Sequence, residues 1–259
     1  MYATFQDDPV GVRLTAFGVH PEETRAQWAE TLQMLPKMWT QETFSWDSPS
    51  MKIPERAVVP KPMQKPHPPM WVAATQPSTI EFAAKNGLGV LGFGIGHMGS
   101  SEYIDAYRRD IKHATPVGKF VNNKFALWVT AMCAENEEEA LNIQCPNVKT
   151  YLEHSHALHA PWLNGKAPHS YQWHYEHFGQ LYEQVKNVDI KEVIKVGLGS
   201  ACIGSPETCL KILQRMSDAG VDEALFFMQS FTTPHKAIMR SIELFAKEVK
   251  PRIKPAVRA

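Results

Sequence analysis

The chain has 259 residues, is 44% hydrophobic and carries 27 basic and 27 acidic side chains, so it has no net formal charge. This length and composition suffice for one large domain with a core. The balanced charge disfavours nucleic acid and anionic membrane surfaces as partners. The first residues, MYATFQDDPVGV, show neither the basic start nor the apolar run typical of a targeting segment, and no apolar run is long enough to span a membrane. We therefore expect a cytoplasmic protein with neither nucleic-acid nor membrane partners.

The first predicted elements are a helix and an irregular excursion. Residues 21–39 begin with a proline and two acids and then repeat tryptophan and leucine at three- and four-residue steps, which predicts an amphipathic helix. The segment FSWDSPSMKIPERAVV is turn-rich and is predicted to lie outside the main sheet. Five prolines between residues 60 and 69 exclude a helix or central strand and predict an extended surface strap.

The strap leads into a strand–helix–strand pattern. The continuous apolar run MWVAAT, residues 70–75, predicts a strand that is covered on both faces. Ser78 and Glu81 have the spacing of a capping box, and the helix that they open should end at Gly87. A second apolar strand, LGVLGF at residues 88–93, follows at once, so the two strands are predicted to be parallel.

Further segments continue the alternation of strands and helices. The helix EYIDAYRRDIKHA precedes a third strand, KFALWVTAMCAE, and an acidic helix follows it. After an insertion placed at residues 145–195, Ser205 caps a helix that Gly220 ends, DEALFFMQ forms a fourth strand, and a last helix begins at Thr233. This pattern fits either a doubly wound sheet or part of a (β/α)8 barrel, and both bind ligands at the carboxyl ends of their strands.

The turn after the first of these strands, Thr75-Gln76-Pro77-Ser78-Thr79, joins a helix N-terminus to several polar side chains. Backbone N–H groups, a positive dipole end and hydroxyl donors are together typical of a phosphate site. The same residues could instead only cap the helix and complete the turn.

Two other motifs are candidate sites. Gly94 to Gly99 spell G-x-G-x-x-G, but no strand ends in an acid about 20 residues later, which disfavours a dinucleotide site. Six of the eleven histidines lie between residues 154 and 177 without an H-E-x-x-H or C-x-x-C motif, so no metal site is predicted. That segment is expected to be a solvated insertion or a substrate-facing lid. The four cysteines are expected to be reduced and mostly buried.

The stretch VVPKPMQKPHPPMWVAATQPSTIEFAAKNGLGVLGFG closely resembles the luciferase-like flavin-dependent monooxygenases. In that family a proline strap enters strand five, and the next turn binds the flavin phosphate. FGVHPEETRAQWAETLQMLPKMW and IGSPETCLKILQRMSDAGVDEALFFMQ resemble the family's fourth helix and its passage into strand eight. The resemblance covers most of the chain and is weaker between residues 145 and 195.

The resemblance implies a single (β/α)8 TIM-barrel domain, residues 1–259, with residues 145–195 as an insertion or lid. Only strands five to eight are recognised, so the barrel is expected to be truncated at its N-terminal side. Strands 70–75 and 224–229 should then be exposed edges, and a homo-oligomer that buries the open interior is expected.

The resemblance also implies the site and the chemistry. Gln76 departs from the serine common in the family, and no catalytic residue is assigned. The expected activity is oxygenation of a small organic substrate with dioxygen and reduced FMN from a flavin reductase, with loss of activity in a truncated chain as a further expectation. The alternatives are a non-catalytic flavin-binding or assembly subunit and an F420-dependent oxidoreductase. The positions carried over are Thr75, Gln76, Ser78 and Thr79 for the phosphate and Gly92, Gly94 and Gly96 for the flavin ring.

Overall fold

The computed structural model describes residues 20–93, 101–159, 169, 172–174, 176, 183, 185–195 and 201–254. Most of its helices and strands alternate along the chain, as the sequence predicts. The short segments are the 3-10 helices Pro21–Glu23, Ile111–His113 and Lys250–Arg252, the single turn Gln172–His174 and the π-helical turn Phe245–Val249; the longer helices and the strands follow. In chain order they are α1 (Thr24–Thr40), β1 (Thr43–Asp47), β2 (Lys52–Ala57), β3 (Trp71–Ala74), α2 (Pro77–Lys85), β4 (Gly89–Phe93), α3 (Ser101–Asp110), β5 (Phe125–Cys133), α4 (Glu137–His159), α5 (Ile190–Lys195), β6 (Cys202–Gly204), α6 (Pro206–Asp218), β7 (Glu223–Phe227) and α7 (His235–Leu244).

The main sheet is parallel and centred on β5. β3 pairs with β4 and β4 with β5, while β7 pairs with the first part of β5 and β6 with its last three residues. Among the described residues, β3 pairs only with β4 and β7 only with β5, so both predicted edge strands lie at sheet edges. The antiparallel pair β1–β2 forms a separate sheet, which confirms the predicted excursion.

The larger core cluster lies between the sheet and the helices on one of its faces, and a second cluster packs α4 and α5 against the ends of β5 and β6. In β5, Phe125, Leu127 and Val129 are buried in this core together with residues of α2, α3 and α6. Trp128 alternates with them and is only half-buried. Since side chains of a strand alternate between two faces, Trp128 points to the face of the sheet opposite this core.

The proline-rich strap crosses the surface but is anchored by one buried side chain. His67 is 2% exposed and its ring stacks on Phe120, with centroids 5.0 Å apart. Its Nε2 accepts from the backbone N–H of Lys119 at 2.8 Å, so Nδ1 carries the proton that is donated to the Pro68 carbonyl at 2.7 Å. The buried His67 side chain therefore fixes the position from which the chain enters β3.

Three sequence predictions need correction. The capping box is wrong because α2 begins at Pro77 with Gln76 as its N-cap, which leaves Ser78 inside the first turn. A proline suits the first helical position, since it has no N–H to satisfy. A short strand, β6, was missed because three residues carry too little pattern. α4 continues through Pro146 to His159, so residues 145–159 extend the preceding helix.

The helix ends were predicted more accurately. Gly87 ends α2 with a φ of +66°, and a Cβ there would lie 2.9 Å from the Cβ of Pro116, so only glycine fits. The Ser205 side chain accepts from the Thr208 backbone N–H at 3.3 Å and caps α6 as expected.

Candidate active site

The turn between β3 and α2 lies at the carboxyl end of the sheet. Ala74, the last residue of β3, is in register with Gly92 of β4, so the turn that follows sits beside the end of the neighbouring strand. Thr75, Gln76 and Thr79 are half-buried and Ser78 is exposed. The structure thus brings the four predicted phosphate contacts together around the start of one helix.

An arginine that the sequence did not single out faces this turn. The Arg25 guanidinium on α1 donates to the Ser78 hydroxyl at 3.4 Å. One turn further along each helix, the rings of Trp28 and Phe82 pack with centroids 4.7 Å apart. This aromatic contact holds α1 against α2 and keeps the cation over the first turn of α2.

Side chains supply most of the donors at the turn. Pro77 has no N–H, and the N–H of Thr79 donates to the Gln76 carbonyl at 3.1 Å. The Gln76 side chain makes no capping hydrogen bond. The remaining groups are hydroxyls, an amide and a guanidinium, together with the positive end of the helix dipole, and this set suits an oxyanion.

An aromatic cluster covers the neighbouring part of the sheet, on the face opposite α2, α3 and α6. The rings of Phe93 and Trp128 are stacked with centroids 4.6 Å apart, and Phe227 lies 4.9 Å from Trp128. Tyr151 of α4 packs against all three rings, at 5.8 to 6.4 Å. Burial raises the pKa of Tyr151, so its hydroxyl stays protonated well above neutral pH. The cluster forms an apolar wall with one hydroxyl.

Polar contacts fix α4 across the strand ends. Asn147 Oδ1 accepts from the Thr232 backbone N–H at 3.0 Å, and Gln144 lies 3.3 Å from the Thr233 hydroxyl. Both side chains are almost fully buried and come from the helix that carries Tyr151 one turn later. The loop after β7 therefore positions the aromatic cluster.

Of the three glycines predicted to adjoin the flavin ring, only Gly92 lies within the described residues. Gly94 and Gly96, like the rest of the G-x-G-x-x-G motif, lie outside the described residues. A Cβ at Gly92 would lie 2.9 Å from Leu127, a core side chain, so Gly92 gives room to β5 and does not open the site to a flavin ring. That expectation for Gly92 is wrong because the strand's alternation turns this position into the core.

The histidine-rich segment is described only in part. His154 bonds to the Thr150 carbonyl at 2.9 Å and lies against Phe231, and His156 is 3.3 Å from Glu183. The side chains of His159, His174 and His177 lie outside the described residues, and the His169 backbone N–H donates to Glu22 Oε1 at 2.8 Å. In the described part of the chain, no three His, Cys, Asp or Glu side chains are grouped so as to hold a metal ion.

All four cysteines are buried free thiols, as expected, and burial raises the pKa of Cys145 to about 11.

No helix in the described ranges combines the length and apolar character that crossing a membrane requires.

Comparisons with known proteins agree with this geometry. The family model described as luciferase-like monooxygenase matches residues 10–223. The oxygenase component of the flavin-dependent trigonelline monooxygenase from Acinetobacter baylyi is 33% identical over 61 residues, which are 24% of this chain and 17% of that protein.

Two solved structures show the same fold. The oxygenating constituent of 3,6-diketocamphane monooxygenase from Pseudomonas putida, solved with FMN, has a TM-score of 0.66 at 15% identity, over 96% of this chain and 70% of that one. The F420-dependent tetrahydromethanopterin reductase from Methanopyrus kandleri has a TM-score of 0.57 at 17% identity, over 91% of this chain and 65% of that one.

The chain spans only part of these proteins. Its matches cover 23%, 20% and 17% of the three curated relatives and 65% of the reductase. The family model nevertheless extends over most of the chain, and the fold agrees with the predicted α/β barrel type. The chain belongs to the luciferase-like monooxygenase family.

Proposed function

We propose that this chain binds reduced FMN at the β3–α2 turn and takes part in the oxygenation of a small organic substrate by dioxygen. The observation that carries the proposal is the Arg25 guanidinium beside Ser78, at the first turn of α2 and the carboxyl end of β3. Members of the family are flavin-dependent oxidoreductases, and one relative is named as an oxygenase component. A separate flavin reductase is the partner that such a component needs.

The residues at the site divide into two roles. Arg25, Ser78 and Thr79 would hold the phosphate through charge-assisted hydrogen bonds. The aromatic cluster would exclude water from the strand ends and accept an apolar substrate, with the Tyr151 hydroxyl as its polar group. Reduced FMN, when bound, would provide the group that reacts with dioxygen. The side chains would position the cofactor and shield it from water.

The exposed sheet edges support a second part of the proposal. β3 and β7 have no further strand partner among the described residues, and Leu225 on β7 is 43% exposed. We propose that a homo-oligomer covers this region. Without such cover, the chain would act as a non-catalytic flavin-binding or assembly subunit and would show no coupled oxygen consumption with a reductase.

The deazaflavin F420 remains the alternative cofactor, since one structural neighbour is an F420-dependent reductase. Both cofactors carry a phosphate, so the turn alone does not distinguish them. Parallel titrations with FMN and F420 decide between the two.

The proposal is tested by fluorescence titration of FMN against the double variant Ser78→Ala/Thr79→Ala. We expect binding to weaken roughly a hundredfold or more, because two hydrogen bonds to a charged group, at about 1.5–3 kcal/mol each, are lost. Riboflavin, which lacks the phosphate, should bind both proteins alike. The control Thr43→Ala/Ser45→Ala removes two hydroxyls from exposed positions on β1. Unchanged FMN affinity in the Ser78/Thr79 variant would reduce these residues to structural parts of the turn.

A further inference from the structure

A cavity lies beside β6, away from the β3–α2 turn. It has a volume of about 770 Å³ and is bordered by α4, α5, β6, α6 and the segment after Phe245–Val249. β6 and β3 lie at opposite ends of the sheet order. The cavity is therefore separate from the proposed flavin site, and its volume is within the range of small-molecule sites.

The floor of this cavity is apolar. Leu141, Ile194 and Ile203 line it and are 3%, 8% and 2% exposed, so their positions are set by the core. Leu210 and Ile212 continue the apolar lining along α6. An alkyl chain placed here would be removed from water against side chains that are already fixed, which is favourable in proportion to the apolar area buried.

The rim of the cavity is cationic. Five basic side chains border it, against one acid, Glu137, which accepts from the Thr208 hydroxyl at 2.8 Å. Two of the five have carboxylate partners: Lys195 Nζ is 2.8 Å from Glu192, and Arg252 pairs with Glu207. The other three, Lys211, Arg215 and Lys254, have no carboxylate within 4.0 Å among the residues that the structure describes.

These three cations are held on one side of the cavity. Lys211 and Arg215 are four residues apart on α6, so they lie on the same face of the helix. Lys254 is tied to α6 through its backbone: its N–H donates to Gln214 Oε1 at 2.9 Å, and its carbonyl accepts from Gln214 Nε2 at 3.0 Å. The three cations thus border the same side of the cavity, beside its apolar floor.

We propose that this cavity binds an amphiphilic anion, with its carboxylate or phosphate head at Lys211, Arg215 and Lys254 and its alkyl chain against the apolar floor. A neutral apolar ligand would not use the cations, and a cationic amphiphile would be repelled by them. The shared requirement is a negative head group on an apolar body. Carboxylates and phosphate monoesters are therefore two forms of the same ligand class.

The test is calorimetric titration of the purified chain with decanoate and with decyl phosphate, both below micelle formation. Decanol and decyltrimethylammonium serve as neutral and cationic probes of the same chain length. We expect both anions to bind, the neutral probe to bind more weakly and the cationic probe most weakly. A stronger signal for one anion identifies the preferred head group. Equal binding of all four probes, or no binding of either anion, overturns the proposal.

Variants of the exposed cations separate the head-group contact from folding. Lys211→Gln/Arg215→Gln should weaken anion binding roughly threefold to tenfold, while Lys236→Gln/Lys247→Gln, with the same change in net charge at exposed positions outside the cavity, should not. Lys211→Glu/Arg215→Glu should reverse the preference towards decyltrimethylammonium. Equal effects of the two glutamine pairs, or a retained anion preference after charge reversal, would also overturn it. FMN binding should be unchanged throughout.

Discussion

The Asp222 carboxylate, just before β7, accepts a hydrogen bond from the backbone N–H of Phe125, the first residue of β5, at 2.7 Å. The same carboxylate contacts the Arg108 guanidinium of α3 and lies 3.7 Å from Lys124 Nζ. Its side chain is only 5% exposed. One buried carboxylate thus ties the amino ends of two strands to a helix.

Removal of this carboxylate should destabilise the protein strongly. Asp222→Ala removes the acceptor of the Phe125 N–H and the carboxylate paired with Arg108, which keeps its hydrogen bonds to Asn123 and Gly220. We expect a loss of about 2–4 kcal/mol in the free energy of unfolding. Chemical denaturation measures the change. The control is Asp218→Ala, an exposed carboxylate that accepts from Gln214, for which we expect a loss below about 1 kcal/mol. Similar losses in the two variants would show that Asp222 does not join these elements.

Tyr107 should make stability depend on alkaline pH. Its hydroxyl donates among three carbonyls, of which Leu88 is nearest at 2.8 Å, and burial raises its pKa above the ordinary value of 10. The unfolded chain therefore loses the tyrosine proton first. The stability that Tyr107 provides is fully present below pH 10 and is lost as pH rises further towards the folded pKa.

The variant Tyr107→Phe isolates this contribution. It should cost about 1–2 kcal/mol at neutral pH, because the buried hydrogen bond from the hydroxyl to the Leu88 carbonyl is lost, and its deficit relative to the native chain should shrink above pH 10. Thermal denaturation between pH 7 and pH 11 measures both effects. Tyr103→Phe on the same helix is the control for loss of a hydroxyl. A deficit that stays constant over this range contradicts the prediction.

Arg25 should recognise the phosphate and not the flavin ring. Arg25→Gln keeps a polar side chain but removes the charge beside Ser78, so FMN affinity should fall roughly tenfold, since a hydrogen bond to a charged group contributes about 1.5–3 kcal/mol. Riboflavin affinity should not change. Arg56→Gln, at an exposed position on β2, provides the matched loss of charge. An equal loss of riboflavin affinity would show that Arg25 supports the packing of α1 and does not recognise the phosphate.

The end of α4 should respond to the ligand if residues 145–195 form a lid. Tyr151 packs on the aromatic cluster, so closure over bound flavin and substrate should slow hydrogen exchange in residues 150–159 and in the histidine-rich segment that follows. Exchange in the β1–β2 hairpin should be unaffected and serves as the internal control. Ligand-independent exchange across residues 150–180 would exclude the lid.

Leu225 should lie in the proposed interface between copies. It is 43% exposed and, by strand alternation, shares the sheet face of Phe227 and Trp128. Leu225→Glu should shift the chain towards monomer in light scattering, because a charge would be buried in an apolar interface. Met239→Glu, at a 48% exposed position on α7, is the control. A monomeric native chain would remove the basis of this prediction.

The sequence by itself determined the parallel strands, most helix ends and the location of the β3–α2 turn. Continuous apolar runs predicted strands with two covered faces, and glycine and Ser-Pro signals located the ends of helices such as α6. These features depend on neighbours within one or two turns, so local residues are sufficient to specify them. The proline strap carried the family resemblance for the same reason, because its motif is one contiguous stretch of sequence.

Only the tertiary structure decided which distant side chains share a site. Arg25 and Ser78 are 53 positions apart, and nothing around Arg25 signals the contact that the packing of α1 on α2 creates. The passage of α4 through Pro146 also depends on its surroundings, because a proline inside a helix is tolerated only where other contacts compensate for the lost hydrogen bond. Local pattern specifies elements, while long-range packing selects the residues that meet.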